Sequence, residues 1–399
     1  MSGDTRNPAR FLPYGRQSIS EDDIAAVVRV LRSDWLTQGP AVPEFERSMC
    51  NRVGAQYAVA VSSATAALHI VCMALGIGPG QRLWTSPNTF VASANCARYC
   101  GAEVDFVDID PATLNMSVQA LSNKLVVAQR QGRLPDVVMP VHFGGLPCDM
   151  EEIAALAKRY KFAVVEDASH AVGAEYRGDK IGNCRHSNAV AFSFHPVKVM
   201  TTGEGGMLLT NDKALWEKLC LLRSHGTTRD SDQMVSESPG SWYYQQVLLG
   251  YNYRMTDIQA ALGTAQLRRL DEFLARRQLL ARRYDKLLSG LAIGTQAVAP
   301  TSRSSNHLYP VRIVGPNVDR RQVFDRLRSA GIGVNVHYIP VHTQPYYNAL
   351  GFKRGDFPEA EKYYAQAISL PLHFELTESD QDYIVAELER ALAEPSGVV

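Results

Sequence analysis

Lys198 lies in FHPVKVMTTGEGG (194–206), two residues after Pro196, in a segment with few other charges. A lysine held in a desolvated pocket has a lowered pKa and presents a nucleophilic amine. Such an amine forms a Schiff base with a carbonyl. Taken alone, a solvated surface lysine is the commoner case. Asp167 closes the apolar run FAVVED. A carboxylate at the end of a buried strand is costly unless a cation or a strong donor meets it. It would suit a bound cationic heterocycle, or it would cap the next segment. His170 follows three residues on and could face the same place, although a lone histidine of this kind is more often structural. Ala64 and Thr65 open a helical pattern directly after YAVAVSS. Free N–H groups and the helix dipole favour a phosphate there. An ordinary N-cap by Ser62 or Ser63 is the plainer alternative.

The set is more telling than its members. A phosphate cradle, an anionic partner for a pyridinium and an amine for an aldehyde are the three contacts that pyridoxal 5′-phosphate requires. Asp167 precedes Lys198 by 31 residues, room for one passage from strand through turn to strand. Phe90, after the strand at 82–86, could cover a ring face, and Ser193 stands beside the lysine segment.

Positioning these residues requires an α/β scaffold. Short apolar runs at 57–63, 82–86, 104–110, 135–143, 161–169, 188–194 and 205–210 read as strands. Helical patterns follow the first two, over ATAALHIVCMALG and 89–100, and a third spans 149–160. This alternation predicts a mostly parallel sheet covered on both faces, with ligands beyond the carboxyl ends of its strands. Near residue 250 the pattern changes. A long helix is expected over 253–291, then a smaller α+β unit from HLYPVRIV (307–314), a helix at 318–330, GVNVHYIP (333–340) and a closing helix from Glu378. The expected division is a large domain over 1–250 and a small C-terminal domain over 251–399. RDSDQMVSESPGSW (229–242) reads as a polar loop.

The totals narrow the classes of function. With 399 residues, 46% of them apolar or aromatic, a large core can be buried. Lys plus Arg and Asp plus Glu each number 41, so no basic face for nucleic acid and no pull toward an anionic membrane is expected. The neutral balance is compatible with self-association. Seven irregularly spaced cysteines match no metal-ligand pattern and fit reduced thiols in a cytoplasmic setting. The N-terminal stretch has no apolar core of a secretory signal, and no run is long enough to span a membrane. A Rossmann dehydrogenase would carry Gly-x-Gly-x-x-Gly after the first strand; SSATAAL lacks it.

VEDASHAVGAEYRGDKIGN, AFSFHPVKVMTTGEGGMLLTND and LGYNYRMTDIQAALG resemble the DegT/DnrJ/EryC1/StrS aminotransferases over nearly the whole chain. The resemblance implies a fold-type I, pyridoxal-phosphate-dependent enzyme acting on a nucleotide-linked keto-sugar. It implies that Lys198 carries the cofactor, Asp167 meets the pyridine nitrogen and His170 lies near the ring hydroxyl. Phe90 would stack on the ring, while Ala64, Thr65 and Ser193 would contact the phosphate. Asn252, in GYNYR, would reach the phosphate of the neighbouring subunit's cofactor, making a homodimer with shared sites. RQSISEDDIAAVVRVLRSDWLTQGP, TSPNTFVASANCARYCGAEVDFVDID and VHYIPVHTQPYYNALGF resemble the pseudaminic-acid branch of the family. That implies UDP-2-acetamido-2,6-dideoxy-β-L-arabino-hexos-4-ulose as acceptor and glutamate as donor. Sugars of perosamine or 4-amino-arabinose type are rivals within the family. A non-catalytic, cofactor-binding regulator is a rival from another class; it would show a lost lysine or an added DNA-binding segment, and the sequence shows neither. On the substrate side, Thr37 in WLTQGP, His337 and Tyr338 in VHYIPVH, and Arg229 are candidates. For the two histidine-loop residues a packed strand is an equal alternative, and for Arg229 a solvated side chain is the plainer one.

Overall fold

The computed structural model describes residues 11–315 and 318–393, so the first ten residues of the stretch read for a secretory signal lie outside the described residues. The apolar runs form a seven-stranded sheet. Its strands are β1 (Tyr57–Val61), β2 (Arg82–Thr85), β3 (Glu103–Phe106), β4 (Val137–Met139), β5 (Ala163–Asp167), β6 (Ala189–Ser193) and β7 (Gly206–Thr210). They lie in the order β1-β7-β6-β5-β4-β2-β3. β2 to β6 pair in parallel, and β7 runs antiparallel between β6 and β1. Side chains alternate between two apolar clusters. Trp84, Val138, Val164, Phe192 and Met207 belong to one, and Leu83, Val137, Val165, Ala191 and Leu208 to the other.

Six of the strands end on the same side of the molecule, and β7 begins there. Gly206 pairs with Val61 on one flank and Ser193 on the other. Asp167 pairs with Ala191. By the two-residue period, Asp167 and Ser193 share the face of Val165 and Ala191.

Helices cover both faces. They include α1 (Glu21–Leu31), α2 (Ala41–Val53), α3 (Ala64–Ala74), α4 (Ala92–Tyr99), α5 (Val118–Gln131), α6 (Met150–Tyr160) and α7 (Lys213–Arg223). The expected helix over 253–291 is two helices, α8 (Asp257–Arg268) and α9 (Leu270–Leu287), with Arg269 between them at φ −97° and ψ 1°. The break has a partner outside the helix. Gln266 Nε2 donates to Asp23 Oδ2 at 2.7 Å, and Arg269 reaches the same buried oxygen at 3.4 Å. This fastens the end of α8 to α1.

β8 (Ile293–Thr295), β9 (Tyr309–Ile313) and β10 (Ala367–Leu370) form an antiparallel sheet. Leu280, Tyr284, Val311, Ile368 and Leu388 pack into a third cluster, which also takes in Leu12. Arg277 of α9 is 2% exposed. Its Nη1 donates to the carbonyls of Asn306, His307 and Leu372 at 3.0, 3.3 and 2.8 Å. GVNVHYIP is a strand only at its start. Ile332–Gly333 pairs with Leu12–Pro13, and Asn335 bridges Ser369. Beyond that point its backbone groups go to other partners. Tyr338 N–H donates to Asn88 Oδ1 at 3.3 Å and Val341 N–H to Pro87 C=O at 2.9 Å. All seven cysteines are free. No helix among the described residues is long and apolar enough to cross a membrane.

Candidate active site

Lys198 sits on a closed loop after β6. Phe194 N–H donates to Gly205 C=O at 2.9 Å, and Thr202 N–H and Thr201 Oγ1 both donate to Phe194 C=O at 3.0 Å. Gly203 turns the chain at φ +80°, a conformation that favours glycine. Phe194 and Met200 are buried and hold the loop on the core. The lysine side chain is half-buried. Burial lowers its amine to about 8, while the carboxylate of Asp167 pulls the other way.

Asp167 is 5% exposed. Its Oδ2 accepts from Ser93 Oγ at 2.6 Å and its Oδ1 from Ser169 N–H at 3.1 Å. Both carboxylate oxygens are thus met by donors, which offsets the cost of their burial.

Three buried histidines surround the lysine. His170 Nδ1 accepts from Gly144 N–H at 3.3 Å, which leaves Nε2–H to donate to Tyr338 Oη at 3.1 Å. His307 packs on His170 with ring centroids 4.5 Å apart. Burial, reinforced by Lys198, pushes both well below the usual histidine range. The same causes lower His337 to about 3. The cluster is therefore neutral, and desolvation rather than imidazolium repulsion dominates the lysine's shift.

Strand pairing also places the N-terminus of α3. Ser63 caps α3, with its Oγ accepting from Ala66 N–H at 3.1 Å and its carbonyl from Ala67 N–H at 3.0 Å. The N–H groups of Ala64 and Thr65 are left over, as in any first helical turn. Ser193 lies one strand away, across Gly206. A Cβ on Gly206 would stand 2.6 Å from Ala64 N and 2.5 Å from Ser63 C. Only glycine lets β7 pass so close to the helix N-terminus. Orphan amides, Ser193, the buried Asp167 and a lysine of depressed pKa fit pyridoxal 5′-phosphate at its three functional groups.

The remaining candidates divide. Phe90 is 58% exposed and meets Tyr338 with ring centroids 6.3 Å apart. Tyr338 packs on Phe143 and His170, and burial raises its pKa. His337 accepts from Asn335 Nδ2 at 3.3 Å and donates from Nδ1 to Ser369 Oγ at 2.8 Å. Both of its ring nitrogens are thus engaged within the chain. Thr37 is exposed and bridges Thr256, while Arg254 bridges Val61, so WLTQGP and GYNYR lie beside the α3 cradle. Asp257 fixes the first of these, its two oxygens accepting from Gly39 and Ala41 N–H at 2.8 Å each. Asn252 is exposed and bridges Ser224. Arg229 is exposed at the start of its polar loop and has no hydrogen bond or ion pair with Lys198, Asp167 or His170. Sequence reasoning missed Ser93, Thr89 and His307. The first two follow the carboxyl end of β2, where the strand-end rule directs attention.

The model of the DegT/DnrJ/EryC1/StrS aminotransferase family matches residues 17–389. The spore coat polysaccharide biosynthesis protein SpsC of Bacillus subtilis is 40% identical over 380 residues, covering 94% of this chain and 95% of its own. The UDP-4-amino-4,6-dideoxy-N-acetyl-beta-L-altrosamine transaminase of Campylobacter jejuni is 37% identical over 378 residues, covering 94% and 96%. Among solved structures, the Streptococcus pneumoniae protein Spr1654 superposes with a TM-score of 0.87 at 31% identity, covering 96% of this chain and 99% of that one. It has been solved in a PLP form and a PMP form.

Proposed function

The chain belongs to the DegT/DnrJ/EryC1/StrS aminotransferase family, a pyridoxal-phosphate-dependent nucleotide-sugar aminotransferase, and from that premise we propose its substrates and residue roles. It moves the amino group of L-glutamate to C4 of a UDP-linked 4-keto-6-deoxy-N-acetylhexosamine, UDP-2-acetamido-2,6-dideoxy-β-L-arabino-hexos-4-ulose, in pseudaminic acid biosynthesis. The observation that carries the assignment of roles is Lys198, half-buried and lowered to about 8, beside the buried Asp167 at the carboxyl end of the sheet.

Bound pyridoxal 5′-phosphate supplies an aldehyde to capture the amine and a protonated ring to draw off electrons at Cα. Lys198 anchors it covalently. Once released, the same amine takes the Cα proton of the donor and returns it, and does the reverse with the sugar. An amine lowered to about 8 has a substantial neutral fraction near physiological pH, so it can accept that proton. Asp167 keeps the proton on the ring nitrogen. Ala64, Thr65 and Ser193 bind the phosphate, Phe90 covers the ring and His170 lies at the ring hydroxyl. Asn252 reaches the phosphate of the neighbouring subunit's cofactor, which makes the working unit a homodimer. Residues 1–250 form the cofactor domain, and 251–399 a smaller one that brings Tyr338 to the sugar. His337 orients Tyr338, while Thr37 and Arg229 meet the nucleotide. Seven free thiols support a cytoplasmic setting.

Identity to the Campylobacter transaminase supports the UDP-sugar; identity to SpsC supports a second reading, another nucleotide sugar of the family. Mass spectrometry of the products from UDP-, GDP- and dTDP-linked 4-keto sugars with glutamate separates them. The expected product is the 4-amino UDP-sugar; amination of a GDP- or dTDP-sugar alone would overturn the first reading.

A further inference from the structure

We infer that Thr89 and Ser93 form a hydroxyl relay that fixes the direction of Asp167. This rests on the reading of Asp167 as the partner of the ring nitrogen. The three residues are 3%, 0% and 5% exposed, respectively. Ser93 Oγ stands 2.6 Å from Asp167 Oδ2, and Thr89 Oγ1 stands 2.7 Å from Ser93 Oγ. An ionised carboxylate only accepts, so the single hydrogen of Ser93 is committed to Asp167. Thr89 must then be the donor to Ser93. The other outlet for Ser93, the carbonyl of Phe90 at 3.4 Å, is too long to compete. A separation of 2.6 Å is that of a charge-assisted O–H···O⁻ bond.

Consecutive hydroxyls polarise one another, and donors to a carboxylate favour its charged form. With Ser169 N–H on Oδ1, both oxygens of Asp167 are tied and its rotamer is set. Lys198, from the loop after β6, and Tyr338, from the 333–341 stretch, are the other titratable groups that act on it. The relay comes from one short segment, residues 88–93, at the start of α4. That segment also carries Phe90, and Asn88, which accepts from Tyr338 N–H at 3.3 Å. The ring cover and the counter-charge therefore share a support. Thr89 and Ser93 are positioning residues, since they act through Asp167.

The test titrates apo protein with pyridoxal 5′-phosphate, followed by fluorescence quenching, and sets kcat against KM for the loaded enzyme. Ser93→Ala is expected to weaken cofactor binding about tenfold and Thr89→Val about threefold, with Ser93→Thr restoring binding to within about twofold. In Ser93→Ala, kcat should fall about tenfold while KM for glutamate stays within about twofold. A role in packing alone would not produce that split. Wild-type affinity and kcat in Ser93→Ala would overturn the relay. If that variant does not fold, Thr89→Val decides, and an unchanged Kd there overturns it. Asp167→Asn in the same titration isolates the parent reading. Should Asp167→Asn bind as wild type, the assignment of Asp167 fails. Should Ser93→Ala alone be silent, only the relay does.

Discussion

Asp167, Ser193 and the first turn of α3 stand where regular elements end, and strand pairing alone brings them together. His337 and Tyr338 stand in a stretch whose backbone groups mostly find side chains and loops instead: Asn88 Oδ1, Pro87 C=O, and Tyr363 Oη on the carbonyl of His337 at 2.8 Å. The first half of the site inherits its geometry from the sheet. The second depends on individual contacts, and those from Asn88 and Tyr363 can each be removed by a single substitution. On the proposed roles, cofactor binding rests on the first kind of support and contact with the sugar on the second.

Three experiments can break or sharpen that contrast. The largest effect is expected from Lys198→Ala, with transamination falling by about 10³-fold. Borohydride reduction should no longer attach cofactor to the protein. Mixing these subunits with Asn252→Ala subunits should restore part of the activity, because one site of a mixed dimer is intact; no rescue would refute the shared site. The next concerns pH. An ammonium is not nucleophilic, so reactivity of the apo protein toward an aldehyde should rise with pH through about 8 and then level. Near pH 8 that makes Lys198 about a hundredfold more reactive than an ordinary lysine of pKa ≈ 10.4. A midpoint near the ordinary value would mean that the lysine is solvated. The smallest effect belongs to the other half. Tyr338→Phe removes the acceptor of the His170 N–H and should raise KM for the sugar about fivefold, with cofactor Kd unchanged. An equal loss of cofactor affinity would erase the distinction between the halves.

The cofactor half was legible because apolar runs mark strands, and the residues after them are the candidates. That rule singles out Lys198, Asp167, Ala64 and Thr65; Ser193 entered as a neighbour of the lysine segment, and its expected phosphate contact came from the family resemblance. Ser93 lies past the end of β2, within reach of the rule, but its pairing was not legible: Asp167 is 74 residues away on β5, and β4 separates β5 from β2 in the sheet. No local pattern records that order. His307 was hidden similarly, as it arrives from the C-terminal sheet. The break at Arg269 left no trace in the periodicity, since α8 and α9 each bury one face. The carboxylate that meets Gln266 and Arg269 there, Asp23, is 246 residues from the break. GVNVHYIP has the composition of a strand, but only its first residues find a strand to pair with.

The guanidinium of Arg277 is lowered to about 10 by burial and is bonded to three peptide oxygens. Letting go of them would strand a cation in apolar surroundings, at a cost of several kcal/mol. The segment that carries His307 against His170 is thereby tied to α9.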